Sequence, residues 1–275
     1  MKKIHIVAIT ILSAFLIYGS CKKREITKVN ENFDVVDSSK VANIKLVQAF
    51  AGNTPQIPTA PNLTTGPQVY FYANGKKLNG NALSYGGVWP SPNVYAVAPT
   101  GNVTFHVVQA RLNLGVVPNV PSPFAGDTLA TFTANLVAGK FYSFYMGDTV
   151  PFVRVTVRED MLQIPDEGTF KIRLANFSMN IRDTFKVSRR SDGIEVISNI
   201  AHKDISNWIQ VPLPILEADT FDLRRKSDLI TAPPALSFIS TTFISLRMYT
   251  MIVRGTSALP AIPGKGLSVG VITNR

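Results

Sequence analysis

Ile44-Lys45-Leu46-Val47-Gln48 and Ile172-Arg173-Leu174-Ala175-Asn176 share one order of apolar and polar positions. Alternation with period two predicts, for each, a strand with one buried face. Each stretch is followed by a loop, a second strand and a Gly-containing turn, Asn74-Gly75 in one copy and Asp192-Gly193 in the other. A repeated element order at this scale predicts two similar modules in tandem.

In the first copy, strands are expected at 41–50, Val69 to Tyr72, Val94 to Val97, Val103 to Val108, Leu129 to Leu136 and Phe141 to Met146, with Val153 to Val157 closing the module. Asn74-Gly75 is a strong tight-turn signal, and Gly86-Gly87, Pro90, Pro92, Pro99 and Gly101 punctuate the rest. In the second copy, Phe170 to Phe177, Phe185 to Ser188, Trp208 to Val211, Phe221 to Leu223, Leu236 to Ile244 and Arg247 to Val253 answer those strands, and Leu267 to Ile272 adds one that could pair along an edge. Short strands with frequent turns and no helical periodicity read as an all-β chain of two antiparallel β-sandwich domains, residues 40–160 and 161–275. Arg158-Glu159-Asp160 and Pro165-Asp166-Glu167-Gly168 read as the polar junction between them.

The N-terminus changes the picture. Met1-Lys2-Lys3 is a short basic region, and Ile4 to Ile17 is a mainly apolar run. It falls short of the about 20 residues that span a bilayer and fits a secretory h-region. Gly19-Ser20 then precede Cys21, the single cysteine of the 275 residues, so no intramolecular disulfide or cysteine metal cluster can form. The Gly-Ser-Cys-Lys-Lys pattern resembles lipoprotein signals of the Bacteroidetes, although Tyr18 stands where such signals usually carry Leu. That resemblance implies a signal peptide over 1–20 and an acylated Cys21. Residues 21–39 then form a flexible tether, and the localisation is an outer-membrane lipoprotein of the cell envelope. Acyl chains at about 0.8 kcal/mol per buried methylene would hold the protein on a membrane.

Composition supports this outline. Hydrophobic residues make up 45% and charged residues 17%, with 18 Gly and 18 Pro, a profile of short strands and turns. The net charge of +10 is spread along the chain, without the clustered stripe and stacking aromatics of a nucleic-acid site. Its densest runs, Lys22-Lys23-Arg24, Arg189-Arg190 and Arg224-Arg225-Lys226, read as solvated surface at strand ends, and the first could also sit against anionic lipid headgroups.

The repeated order resembles the bacterial family called domain of unknown function 4397. The matching positions are a basic-apolar first strand ending near Asn176-Phe177, an aromatic-apolar second strand, Asp192-Gly193, Tyr95 and Trp208 before Pro-containing turns, and a last strand with Tyr142 or Tyr249. The resemblance covers nearly all of residues 41–255 and implies an immunoglobulin-like sandwich, with no catalytic residues to carry over.

Candidate chemistry is sparse. His106 and His202 belong to no H-x-x-x-H or H-E-x-x-H pattern, and no G-x-S-x-G elbow occurs. Glu159-Asp160 and Asp166-Glu167 read as linker carboxylates that solvate turns, and no metal or cofactor is expected. Tyr70, Phe71, Tyr72, Tyr85, Trp89 and Tyr95 crowd one region. Of these, Trp89, Tyr85 and Tyr95 are the candidate sugar-stacking residues; the competing reading is ordinary alternation into a core. Asp127-Thr128-Leu129 and Asp148-Thr149-Val150 resemble the Bacteroidetes O-glycosylation acceptor, making Thr128 and Thr149 candidate acceptors. The functional expectation is a membrane-anchored, non-enzymatic module that binds a glycan or an envelope protein. The alternatives are an accessory subunit of an outer-membrane complex and a carbohydrate-acting hydrolase.

Overall fold

A computed structural model describes residues 37, 39–52, 68–110, 128–150, 153–179, 183–213, 220–229, 231, 233–239, 243–255 and 266–275, with backbone only at 51, 52, 149, 150, 238 and 239. The expected leader, tether and acylated Cys21 lie outside the described residues. The part from Asp37 to Arg275 is one compact unit.

The described residues form nineteen strands and no helix. The first eleven are β1 (Val41–Gln48), β2 (Ala51–Gly52), β3 (Val69–Ala73), β4 (Lys76–Lys77), β5 (Val88–Trp89), β6 (Ala96–Pro99), β7 (Gly101–Gln109), β8 (Thr128–Leu136), β9 (Phe141–Gly147), β10 (Thr149–Val150) and β11 (Arg154–Glu159). The others are β12 (Thr169–Ser178), β13 (Phe185–Arg189), β14 (Glu195–Ile200), β15 (Ile209–Pro212), β16 (Thr220–Arg225), β17 (Leu236–Ile239), β18 (Met248–Gly255) and β19 (Ser268–Thr273).

They pair into two sandwiches of matching topology. One sheet of the first runs β11-β9-β1-β5 with β6 also on β1, and faces β4-β3-β7-β8. The second sandwich repeats this as β15-β12-β18-β19 facing β14-β13-β16-β17. Asn74 and Gly75 both have positive φ, at 47° and 79°, and join β3 to β4 through the predicted two-residue turn. One departure from the all-antiparallel expectation recurs in both copies: β1 pairs with β9, and β12 with β18, in parallel. Each first strand is thus central to its sheet, between the penultimate strand and the antiparallel β5/β6 or β15.

Each sandwich fills its own core. Ile44, Leu46, Phe71, Phe105, Val107 and Phe144 are fully buried in the first. Phe170, Ile172, Phe185, Val187, Phe221 and Leu223 are their counterparts in kind in the second. Both copies also tie a loop to the same tyrosine position, the Val137 amide donating to Tyr142 Oη at 3.1 Å and the Ile244 amide to Tyr249 Oη at 2.9 Å. In immunoglobulin-type sandwiches such a tyrosine corner fixes a crossover loop. Tyr249→Phe is expected to lower the unfolding free energy by about 1 kcal/mol, one net hydrogen bond. Urea titration checks this, and a midpoint equal to wild type would exclude a structural role for that bond.

A third apolar cluster joins the two halves, with Val47, Ala49 and Tyr145 from the first and Ala175, Phe177, Ile205, Ile252 and Ile272 from the second. Tyr145 and Phe177 stack at 5.3 Å between centroids and 8° between planes. Gly147 permits that approach, since a Cβ there would lie 2.6 Å from Phe177 Cδ1. From Ile44 and Ile172 onward, β1 and β12 are consequently buried on both faces, where alternation predicted one face in water.

Candidate functional site

Two surfaces of each first strand explain its sequence. Ile44 and Leu46 face the first core, and Ile172 and Leu174 the second. Lys45 and Arg173, on the opposite faces, are 0% and 1% exposed. The basic residues that alternation places in water instead face the junction between sandwiches, where a polar network accommodates them.

The network is two-fold in design. Each cation lies over an aromatic ring of its own copy, Lys45 Nζ 4.4 Å from the Tyr95 centroid and Arg173 Cζ 4.2 Å from that of Trp208. Each also has a hydroxyl residue opposite it on the parallel strand, Ser143 for Lys45 and Thr250 for Arg173. Just beyond the last strand of each copy, the amides of Asp160 and Asn274 donate to Phe141 O and Met248 O, which marks these two as equivalent positions. Only one of them is charged.

Asp160 is therefore the anion of a layer holding two cations. Its Oδ1 accepts from Arg173 Nη2 at 2.5 Å, and its Oδ2 accepts from Ser143 Oγ at 2.5 Å and Tyr95 Oη at 2.7 Å. Arg173 also donates to Tyr145 Oη and Thr250 Oγ1, each at 2.8 Å. Thr250 passes its proton toward Asn274 Oδ1 at 2.7 Å, and Asn274 Nδ2 donates to Tyr95 Oη at 3.0 Å. The circuit is closed, and such satisfied buried networks fix a single geometry. Lys45 has carbonyl oxygens instead of a carboxylate, donating to Thr273 O at 2.8 Å and to Pro92 O. Burial lowers its pKa to about 8, with Asp160 opposing the shift and Arg173 adding to it. Burial pushes the Tyr95 and Tyr145 phenols up. Reading Glu159-Asp160 as a solvated linker pair is thus corrected for Asp160, which is 2% exposed. Among the described residues no group of three or more His, Cys, Asp or Glu side chains is placed to hold a metal ion.

The aromatic trio sits beside this junction. Trp89 pairs with Leu46, and its ring packs against the first core. Tyr95 gives its hydroxyl to Asp160 and its ring face to Lys45. The Tyr85 ring lies 5.5 Å from the Arg254 guanidinium, whose Nη1 donates to Gly86 O at 2.8 Å across the two halves. All three are half-buried, held by packing and by cations inside the protein. Asp148, read as part of an acceptor tripeptide, joins the halves through Lys203 Nζ at 2.7 Å and His202 Nε2 at 3.4 Å. Thr149 contributes backbone pairing in β10, and its side chain lies outside the described residues. Thr128 opens β8 with its side chain exposed, and Asp127 lies outside the described residues.

The outer faces of the other two sheets differ sharply between copies. The registers of β3 on β7 and β13 on β16 align Phe71 and Val107 with Val187 and Leu223, all in the cores. On the opposite face the same registers align Tyr70, Tyr72, His106 and Val108 with Lys186, Ser188, Asp222 and Arg224. The first outer face is thus aromatic and hydroxyl-bearing. Tyr70 and Tyr72 are half-buried there, Lys77 Nζ lies 3.4 Å from the Tyr70 centroid, and His106 Nδ1 and Thr131 Oγ1 share a hydrogen bond of 3.0 Å. The second is ionic and carries a cleft of about 400 Å³ lined by Arg189, Arg190, Asp222, Arg224, Pro233 and Pro234, among others. Arg189-Arg190 and Arg224, read as separate solvated strand ends, line the same cleft, because β13 and β16 are neighbours.

Comparison with known proteins gives weak structural likenesses only. No protein-family model and no curated protein sequence matches the chain. Among solved structures, one described as α-glucan recognition by family 41 carbohydrate-binding modules from streptococcal virulence factors covers 78% of this chain and 93% of its own, with 11% identity and a TM-score of 0.23. A candidate cell adhesion protein from Bacteroides fragilis covers 86% and 98%, with 9% identity and a TM-score of 0.20.

Proposed function

We propose that this chain is a non-enzymatic binding or adhesion module of the cell envelope, held to a membrane through an acylated Cys21 and contacting its ligand with the outer faces of β3-β7-β8 and β13-β16. One observation carries the reading: the two copies keep their core positions and their junction plan while the corresponding outer faces differ in chemistry. Packing constrains core positions, whereas a face turned away from the core is free to vary and to specialise for recognition.

On the first face, Tyr70 and Tyr72 stand two residues apart on one strand, about 7 Å along it. Rigid amphipathic rings with a hydroxyl and an imidazole beside them suit the ring face and hydroxyls of a sugar. The closed junction network supports the same reading, because it holds both outer faces on one body. The shared strand order also supports membership of the domain of unknown function 4397 family. A glycan and peptidoglycan array probed with the purified chain is expected to show saturable binding. Absence of binding to every glycan would overturn the glycan reading and point to a protein ligand, sought by crosslinking in native membranes.

A further inference from the structure

The cleft on the second outer face has a different chemistry from the first. Asp222, with its side chain 3% exposed, clamps two guanidiniums. Arg190 Nε and Nη2 donate to Oδ1 at 3.1 and 2.6 Å, and Arg224 Nη2 donates to Oδ2 at 3.1 Å. Ser237 Oγ donates to Oδ1 at 3.1 Å and accepts from Arg190 Nη2 at 2.5 Å. Arg224 is held further by Ser188 Oγ at 3.3 Å and Leu229 O at 3.4 Å. Arg189 pairs with Asp192 along the same wall. Three guanidiniums and two carboxylates thus gather around a preformed cleft.

Of these groups, Arg190 is the one turned to solvent. The Arg190 side chain is 51% exposed, and its bonds run through Nε and Nη2, leaving the Nη1 edge without a protein partner among the described residues. Pro233 and Pro234 form an apolar wall, and Ser188 and Thr231 add hydroxyls. The volume accommodates a hexose-sized ring.

We infer that the cleft between β13, β16 and the residues Thr231, Pro233 and Pro234 binds an acidic sugar residue, its oxyanion received by Arg190 and its carbon face lying on Pro233 and Pro234. A guanidinium held by a buried carboxylate is pre-oriented, so its free edge loses little side-chain entropy when it takes a second oxyanion. Charge-assisted hydrogen bonds of this kind are the strong ones. The inference rests on the binding reading above and names a ligand class for its second face.

The test is calorimetric titration of the purified chain with trigalacturonate, its neutral methyl ester, sialyllactose and inorganic phosphate. An acidic sugar is expected to bind at least about tenfold more tightly than the methyl ester. Arg190→Gln is expected to weaken it by a similar factor and Arg190→Lys by less, with both variants folded at the assay temperature as judged by their melting curves. Competition by inorganic phosphate would show that the cleft takes any oxyanion, and lack of competition that it selects the carboxylate on a ring. Equal binding of acid and ester, unchanged affinity in Arg190→Gln, or no binding of either acidic sugar would each overturn the assignment. Neutral-glycan binding that survives Arg190→Gln and is lost in Tyr70→Ala/Tyr72→Ala would leave the broader reading standing.

Discussion

Replacing Asp160 with asparagine is expected to destabilise the protein by about 3–5 kcal/mol, the cost of removing one partner from a buried ion pair. The size follows from what is left behind. Arg173 is 1% exposed and keeps its charge with no carboxylate in reach of Nη2, while Tyr95, Ser143 and Arg173 are left to compete for a single carbonyl oxygen. An amide at position 160 can accept from only one of its two ends, so three donors cannot all be satisfied. Removing both charges tells a different story. Asp160→Leu combined with Arg173→Met is expected to recover most of the loss, because well-packed apolar groups can substitute for a buried pair. Chemical denaturation of the two variants measures the difference. A loss below about 1 kcal/mol for Asp160→Asn would show that the pair is solvated in solution and that the network is not what joins the sandwiches.

The second large effect is a pH dependence centred on Lys45. Its pKa is about 8 in the folded protein against 10.5 in the ordinary case. Between those values the unfolded chain binds more protons than the folded one, so stability rises with pH across that window. The cost of burying the charge is fully present below pH 8 and is gone above 10.5. A shift of this size corresponds to about 3 kcal/mol. Tyr95 and Tyr145 oppose it at the alkaline end, since phenols held protonated by burial lose stability as the unfolded chain ionises. Comparison with Lys45→Met cancels the tyrosines. The stability of Lys45→Met relative to wild type is expected to fall by about 3 kcal/mol from pH 7 to 10.5, measured by denaturation at each pH. Parallel curves for the two proteins would show that Lys45 is hydrated.

Much of the fold was legible because its signals are local. Alternation in 41–50 and 170–177, the Asn74-Gly75 turn and the repeated order of strands are set by neighbouring residues, and β1, β12 and that turn lie where the pattern puts them. β14 was missed, since Glu195-Val196-Ile197-Ser198-Asn199-Ile200 follows a turn and alternates irregularly, and its pairing with β13 carries register shifts. The parallel pairing of β1 with β9 is decided by chain reversal over about a hundred residues, which no local pattern records.

The junction was harder to read. Lys45 and Arg173 looked like solvent-facing polar positions because alternation says which residues share a face, not what covers that face. A signal was present nonetheless: the same strand position is basic in both copies, amid residues suited to burial. Asp160, at the end of a charged run, carried no comparable mark; its role follows from β11 ending against Phe141 O. Trp89, Tyr85 and Tyr95 drew notice by density alone. Their density reflects the junction they line, while Tyr70 and Tyr72, on the face opposite Phe71, are the aromatics of the first outer sheet.

The most direct test of the account is the glycan array repeated with two variants, Tyr70→Ala/Tyr72→Ala on the first outer face and Trp89→Phe beside the junction. Binding lost in the first variant and kept in the second, with both folded as judged by their melting curves, is the predicted result. Binding kept without Tyr70 and Tyr72 but lost in Trp89→Phe would place recognition at the junction and contradict the assignment of function to the outer faces.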